Sequence, residues 1–79
     1  MTRSERQRPL IHNPLELRRR RIAAGMEQAD LAEAADLSAS HVSLLEHGKR
    51  SPTPQALFRL ATVLDCLPED LMAEELISR

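Results

Sequence analysis

The sequence predicts an all-α domain. Three observations point that way. β-Branched and aromatic residues do not gather into the alternating runs that strands need. Helix-capping residues recur along the chain, and the apolar residues between them repeat at three- and four-residue spacing. A chain of 79 residues has room for one domain with a modest core, since small domains bury only about 60% of their unfolded surface. It has no room for a walled active-site cleft.

Asn13-Pro14-Leu15-Glu16 reads as a helix start, with an N-cap Asn, Pro at the first helical position and an acid placed to reach back to the cap. This helix is expected to run to about Ala24, with Arg21 next to Ile22 on the core side, and Gly25 supplies the left-handed residue that ends it. From Gln28 to Ala35 the apolar positions Leu31, Ala32 and Ala35 keep helical spacing. Asp36-Leu37-Ser38 interrupts the pattern. Ser38 caps a third helix through about Glu46, with Val42 and Leu45 inward, and Gly48 closes it. Thr53-Pro54 repeats the cap-plus-proline start, and Leu57, Leu60, Ala61 and Leu64 form the stripe of a fourth helix. Pro68 opens a short fifth bearing Leu71 and Leu76. The expected architecture is a compact five-helix bundle over residues 13–72. Residues 1–12, polar and basic without an apolar stripe, are expected to form a mobile arm. Residues 73–79 are expected to be the end of the last helix or a tail.

The net charge of −1 conceals an asymmetry. Residues 1–25 carry seven arginines against Glu5 and Glu16, whereas residues 26–79 carry Lys49, Arg50, Arg59 and Arg79 against ten acids. One basic face and one acidic face are compatible with phosphate binding, and so is a solvated arginine-rich helix. The single Cys66 excludes an internal disulfide, and no apolar run approaches the roughly 20 residues of a membrane span. The arginines near the start are not followed by an apolar signal segment. A cytoplasmic, nucleoid-associated protein is expected. No nucleophile–base arrangement, phosphate loop or carboxylate pair suggests an enzyme, and no cofactor or small-molecule ligand is implied. His12, His41 and His47 lack metal-ligand spacing with Cys66, whose expected role is that of a small, partly buried apolar residue. Phe58, the sole aromatic, excludes base stacking on an aromatic platform.

The most informative stretch is Gly25 to Gly48, GMEQADLAEAADLSASHVSLLEHG. Two short helices joined by a tight turn cross steeply, so that one lies over a DNA backbone while the other enters the major groove. Ala32 and Ala35 let such helices approach closely, although small residues at this spacing also suit an ordinary core. The ordered set Gly25, Gln28, Leu31-Ala32, Asp36, Ser38 and Glu46-His47-Gly48, followed by Lys49-Arg50-Ser51-Pro52 and the Leu-rich fourth helix, resembles the Cro/repressor helix-turn-helix family, also called XRE-type. The resemblance extends over roughly residues 14–72.

The resemblance implies a lambda-repressor-like fold with the helix-turn-helix at about 28–47. It also implies sequence-specific binding of operator DNA, most commonly as a homodimeric repressor. Carried over position by position, Ser38, Ala39, Ser40, Ser43 and Leu44 face base edges. Gln28, Arg21, Lys49 and Arg50 approach phosphates, and Arg21 with Glu46 forms an ion pair joining the first helix to the recognition helix. The base-facing set contains no Gln, Asn or Arg for a bidentate contact, and Ala39 and Leu44 offer only apolar contact such as with a thymine methyl. DNA shape and the arm then carry part of the specificity. Three serines also suit a plain polar face, the lesser of the two readings. Of Arg18, Arg19 and Arg20, set 100° apart, one or two can face DNA. Glu27 stands where relatives carry a Ser or Thr cap. Asp36 and Asp65 stand where glycine is common, and Asp tolerates left-handed geometry better than most residues. Other expectations stay open. The chain is alternatively an antitoxin, a phage regulator or a restriction–modification controller. Outside DNA binding, exposed Leu44 and the acidic C-terminal part suit a protein-interaction adaptor or coactivator.

Overall fold

Each α-helix begins where a side-chain oxygen can satisfy backbone N–H groups left free in its first turn. The structure, a computed structural model, describes residues 10–74. Helix α1 spans Pro14–Ala23, and the Asn13 side chain accepts from the amides of Leu15 (3.1 Å) and Glu16 (3.2 Å). Helix α2 spans Gln28–Ala34, helix α3 Ala39–Glu46 and helix α4 Pro54–Val63. Ser38 caps α3 by accepting from His41 N at 3.0 Å, and Thr53 caps α4 by accepting from Ala56 N at 3.1 Å. At the start of α2 the cap runs the other way: the Asp30 carboxylate accepts from Glu27 N at 2.9 Å. A carboxylate at position 27 is tolerated because the orphan amide is satisfied from the helix side.

The described residues contain four α-helices rather than the five expected. Pro68–Leu71 forms a single 3-10 turn, with Asp70 accepting from Leu67 N at 2.9 Å. Three-residue hydrogen bonding suits so short a run, because nucleating an α-helix fixes several residues for each bond gained. Leu76 and the rest of residues 75–79 lie outside the described residues, as do residues 1–9 of the expected arm.

Leu10–His12, assigned from sequence to that arm, are attached to the domain. Ile11 N donates to Ser51 Oγ (3.0 Å), Ala73 N to Ile11 O (2.9 Å) and Asn13 N to Leu71 O (2.8 Å). An isolated antiparallel bridge pairs His12 with Met72. These bonds leave no role for Glu16 at the α1 cap. Its carboxylate turns forward instead and accepts from Arg20 Nε at 2.9 Å.

One leucine from each element meets in the core: Leu17, Leu31, Leu45, Leu60 and Leu71. Burying each contributes about 1.5–3 kcal/mol. Ala32 and Ala35 are also buried, so the small residues of α2 lie inside the domain where α2 packs on α3. The inward positions of α1 are Leu17 and, one turn on, Arg21, while Ile22 is exposed. Arg21 is on the core side, as the sequence predicts, but Ile22 beside it is not: a step of 100° along the helix turns it away once Leu17 and Arg21 take that side. Asp36 and Asp65 both have positive φ, 61° and 58°. They fill the left-handed turn positions after α2 and α4 with a residue other than glycine. No helix among the described residues is long and apolar enough to cross a membrane.

Candidate nucleic-acid interface

The helix-turn-helix consists of α2, the Ala35–Ser38 connection and α3. The first turn of α3 is presented outward, with Ser38, Ala39 and Ser40 exposed, Ser43 half-buried and Leu44 exposed one turn further on. The Ser38 hydroxyl oxygen already accepts from His41 N, so Ser38 shapes the start of α3 as well as facing outward. Leu44 is 39% exposed, a free apolar contact on a helix whose other large apolar residues, Val42 and Leu45, are in the core.

The rigidity of this unit comes from a buried polar cluster. The guanidinium of Arg21 donates to Glu46 through Nε (2.6 Å to Oε2) and Nη2 (3.0 Å to Oε1), and Nη1 donates to Met26 O at 2.8 Å. Both residues are 8% exposed. Gln28 Nε2 donates to Glu46 Oε1 at 3.0 Å. One carboxylate thus ties α1, the start of α2 and the end of α3 together. Burial pushes the Glu46 carboxyl upward, but the hydrogen bonds from Arg21 and Gln28 outweigh it and hold it below the usual range. The same bond to Glu46 raises Arg21 further, against its own burial.

These contacts redistribute the phosphate-facing positions that the resemblance implies. Arg21 is turned inward, with three of its N–H groups used inside the domain. Gln28 spends one amide hydrogen on Glu46, which leaves the second available. Lys49 and Arg50 are exposed in the turn after Gly48. That turn adopts φ +71° at Gly48, where Leu10 and Pro14 pack close by.

Two features were missed in the sequence. His12 is 2% exposed and donates from Nε2 to Leu45 O at 2.8 Å, capping the end of α3. Its Nδ1 is buried without a partner, and burial lowers its pKa despite that bond. Arg59 Nε donates to Ala35 O at 3.0 Å, so α4 caps the end of α2. Neither is visible in local spacing, because the partners lie 33 and 24 residues away. Cys66 lines a cleft with Arg20, Thr62 and Leu67, and burial raises its thiol above the usual range. Among the described residues no three His, Cys, Asp or Glu side chains gather in a metal-binding group.

The model of the helix-turn-helix family matches residues 17–71. No curated protein matches the chain. The fold is similar to the restriction-modification controller protein C.AhdI from Aeromonas hydrophila, with 35% identity over 72% of this chain and 86% of that one and a TM-score of 0.70. It is similar to the P22 c2 repressor in complex with a synthetic operator (26% identity, 78% of this chain, 91% of that one, TM-score 0.70). It is similar, too, to SinR, the master regulator for biofilm formation, in complex with DNA (25% identity, 73% of this chain, 97% of that one, TM-score 0.70). With the family match covering more than half of its length, the chain belongs to the helix-turn-helix family of Cro/repressor type.

Proposed function

We propose that the chain regulates transcription by binding an operator in duplex DNA as a homodimer, with repression as the expected sign. The observation that carries this reading is the outward first turn of α3, held in place by the Arg21–Glu46–Gln28 cluster. Ser40, Ser43 and Leu44 touch base edges, and Gln28, Lys49 and Arg50 hold the phosphates on either side. The P22 c2 and SinR structures, both DNA complexes, support this docking. One short helix bearing small side chains reads few bases, which favours two copies on half-sites about 34 Å apart. Phe58 on α4, 61% exposed, is the apolar residue best suited to the dimer contact.

The test is titration of a labelled duplex at several salt concentrations. About six basic side chains per subunit, drawn from Arg3, Arg6, Arg8, Arg18–Arg20, Lys49 and Arg50, give a slope of about −5 in log K against log salt. An affinity that is flat from low to physiological salt overturns the reading and favours the adaptor role. Within DNA binding, the likeness to a restriction-modification controller supports that assignment, beside the phage-regulator reading that the likeness to the P22 c2 repressor supports. Neighbouring endonuclease and methyltransferase genes are then expected.

A further inference from the structure

The outward face of α1 is apolar and basic at once. Leu15 and Ile22 are both more than half exposed. Arg19 stands between them at four- and three-residue spacing, which stacks the three on one side of the helix. The Arg19 side chain is exposed and comes no nearer than 3.7 Å to Glu16 Oε1, while the other oxygen of Glu16 is held by Arg20 at 2.9 Å. Arg19, Ile22 and Ala23 also line a cleft along this helix. Two aliphatic side chains around an arginine suit an occupant that is acidic and lets them approach closely.

Helix α2 presents such a surface. Glu27, Asp30 and Ala34 follow one another at three- and four-residue spacing, Glu33 lies beside them, and all four are exposed. Between Met26 and Gly48 the chain has no lysine or arginine. Among the described residues, Glu46 is the only acid of that stretch in an ion pair. Leu15 to Ile22 and Glu27 to Ala34 are each seven residues, about 10 Å along a helix. The two patches are therefore equal in length and opposite in charge. They do not pair within a subunit, where Arg19 and Arg20 turn to Glu16.

We propose that α1 of one copy docks against α2 of a neighbouring copy, linking dimers bound at adjacent operators. This rests on the DNA-binding reading. The patches lie on consecutive helices, so a twofold axis between neighbouring copies sets α1 of each against α2 of the other and the contact occurs twice. Arg19 then meets Glu33, and Leu15 and Ile22 reach the backbone of α2 past the small side chain of Ala34. Two α1 faces would oppose arginines and two α2 faces would oppose carboxylates, so only the unlike pairing attracts. Phe58 lies on α4, outside both patches, and keeps its role within the dimer. Patches this small fall short of a stable interface, so dimers stay separate in free solution. A duplex that carries two operators holds them at high effective concentration, which turns a weak contact into cooperative occupancy.

The probe is the duplex sequence that the protein selects from a random pool, placed once or twice on one fragment. The two sites are set about two to four helical turns apart, at whole-turn and half-turn offsets. At one or more whole-turn spacings, wild type is expected to bind the paired sites at least about fivefold more tightly per site than the single one. At half-turn offsets, which put the copies on opposite sides of the duplex, no gain is expected. Ile22→Ser is expected to keep the single-site affinity and lose the gain. Arg19→Glu and Glu33→Arg are each expected to lose it, and the two together to regain it, because the charges are then exchanged. Reading the gain as a ratio of paired to single sites cancels any phosphate contact of Arg19. Far-ultraviolet circular dichroism checks that each variant is folded. The proposal is overturned if no spacing gives a gain, if Ile22→Ser keeps it, or if the exchanged pair does not regain it. A wild type that binds no duplex even in low salt overturns the DNA-binding reading itself, a different result from independent binding at two sites.

Discussion

Arg21 in α1 and Glu46 at the end of α3 are joined by two parallel hydrogen bonds across 25 residues of chain. The fork geometry matches guanidinium to carboxylate and leaves little of either in water. Glu46 Oε1 also accepts from Gln28, so the pair sets both helices of the helix-turn-helix against α1.

Removing one partner is expected to cost far more than removing both. Glu46→Ala strands a buried arginine and is expected to lose about 3–5 kcal/mol, a large part of the stability of a small domain. Replacing both residues with apolar ones, Arg21→Met with Glu46→Leu, is expected to lose much less. Urea unfolding of the singles and the double gives the coupling. Additive losses below about 1 kcal/mol each, the level of a solvated pair, would contradict it.

Stability is expected to fall in acid in two separate windows. The folded His12 has a pKa below its ordinary 6.5, so the unfolded chain takes up this proton first as pH falls. Its contribution is complete above pH 6.5 and is lost progressively as pH drops below that value towards the folded pKa. The Glu46 carboxyl is lowered from 4.5; its contribution is present above that value and is lost as pH falls through the lower folded one. Urea midpoints at about pH 7.5 and 5.5 isolate the histidine, because Glu46 stays ionised in both states there. His12→Gln, which keeps a donor for Leu45 O, is expected to remove the slope in that interval. An unchanged slope would show that another group titrates.

Base-facing and phosphate-facing positions are expected to separate by mutation. Ser40→Ala and Ser43→Ala change which sequence is preferred, by about 1–3 kcal/mol where the contact is good. Gln28→Ala weakens good and poor sites alike. Selection of bound DNA from a random pool, repeated with each variant, reads both effects. If neither serine variant alters preference or affinity, α3 is not the reading helix.

If the proposed dimer forms through Phe58, Phe58→Glu is expected to disperse it without unfolding the subunit, because the side chain is exposed and a charge placed at a dry interface is costly. Sedimentation with and without duplex measures it. A dimer that persists in this variant puts the interface elsewhere.

The starts of the helices were legible residue by residue. Asn13, Ser38 and Thr53 act through bonds that reach two or three residues along the chain, and a cap of that kind is written into local sequence. The left-handed turns at Asp36 and Asp65 were legible through the family resemblance, in which glycine is common at both positions. The apolar spacing of α2, α3 and α4 likewise announced which side of each helix is buried. Along α1 the sequence places Arg21 and Ile22 together on the core side, and the structure keeps Arg21 there while Ile22 faces outward.

By itself, then, the sequence determined where the α-helices begin, the apolar stripes of α2–α4 and the helix-turn-helix pattern, because each depends on neighbours within a turn or two. Only the tertiary structure decided that Leu10–His12 belong to the domain, that His12 caps α3 and that Gln28 is held by Glu46. It also decided that Pro68–Leu71 closes as a single 3-10 turn beside the N-terminal segment. Those outcomes depend on hydrogen bonds between residues 18 to 62 positions apart, the one from His12 buried and those to Ser51 and from Gln28 partly so. A buried polar group must find a partner wherever the fold brings one, and no periodicity along the chain records where that will be.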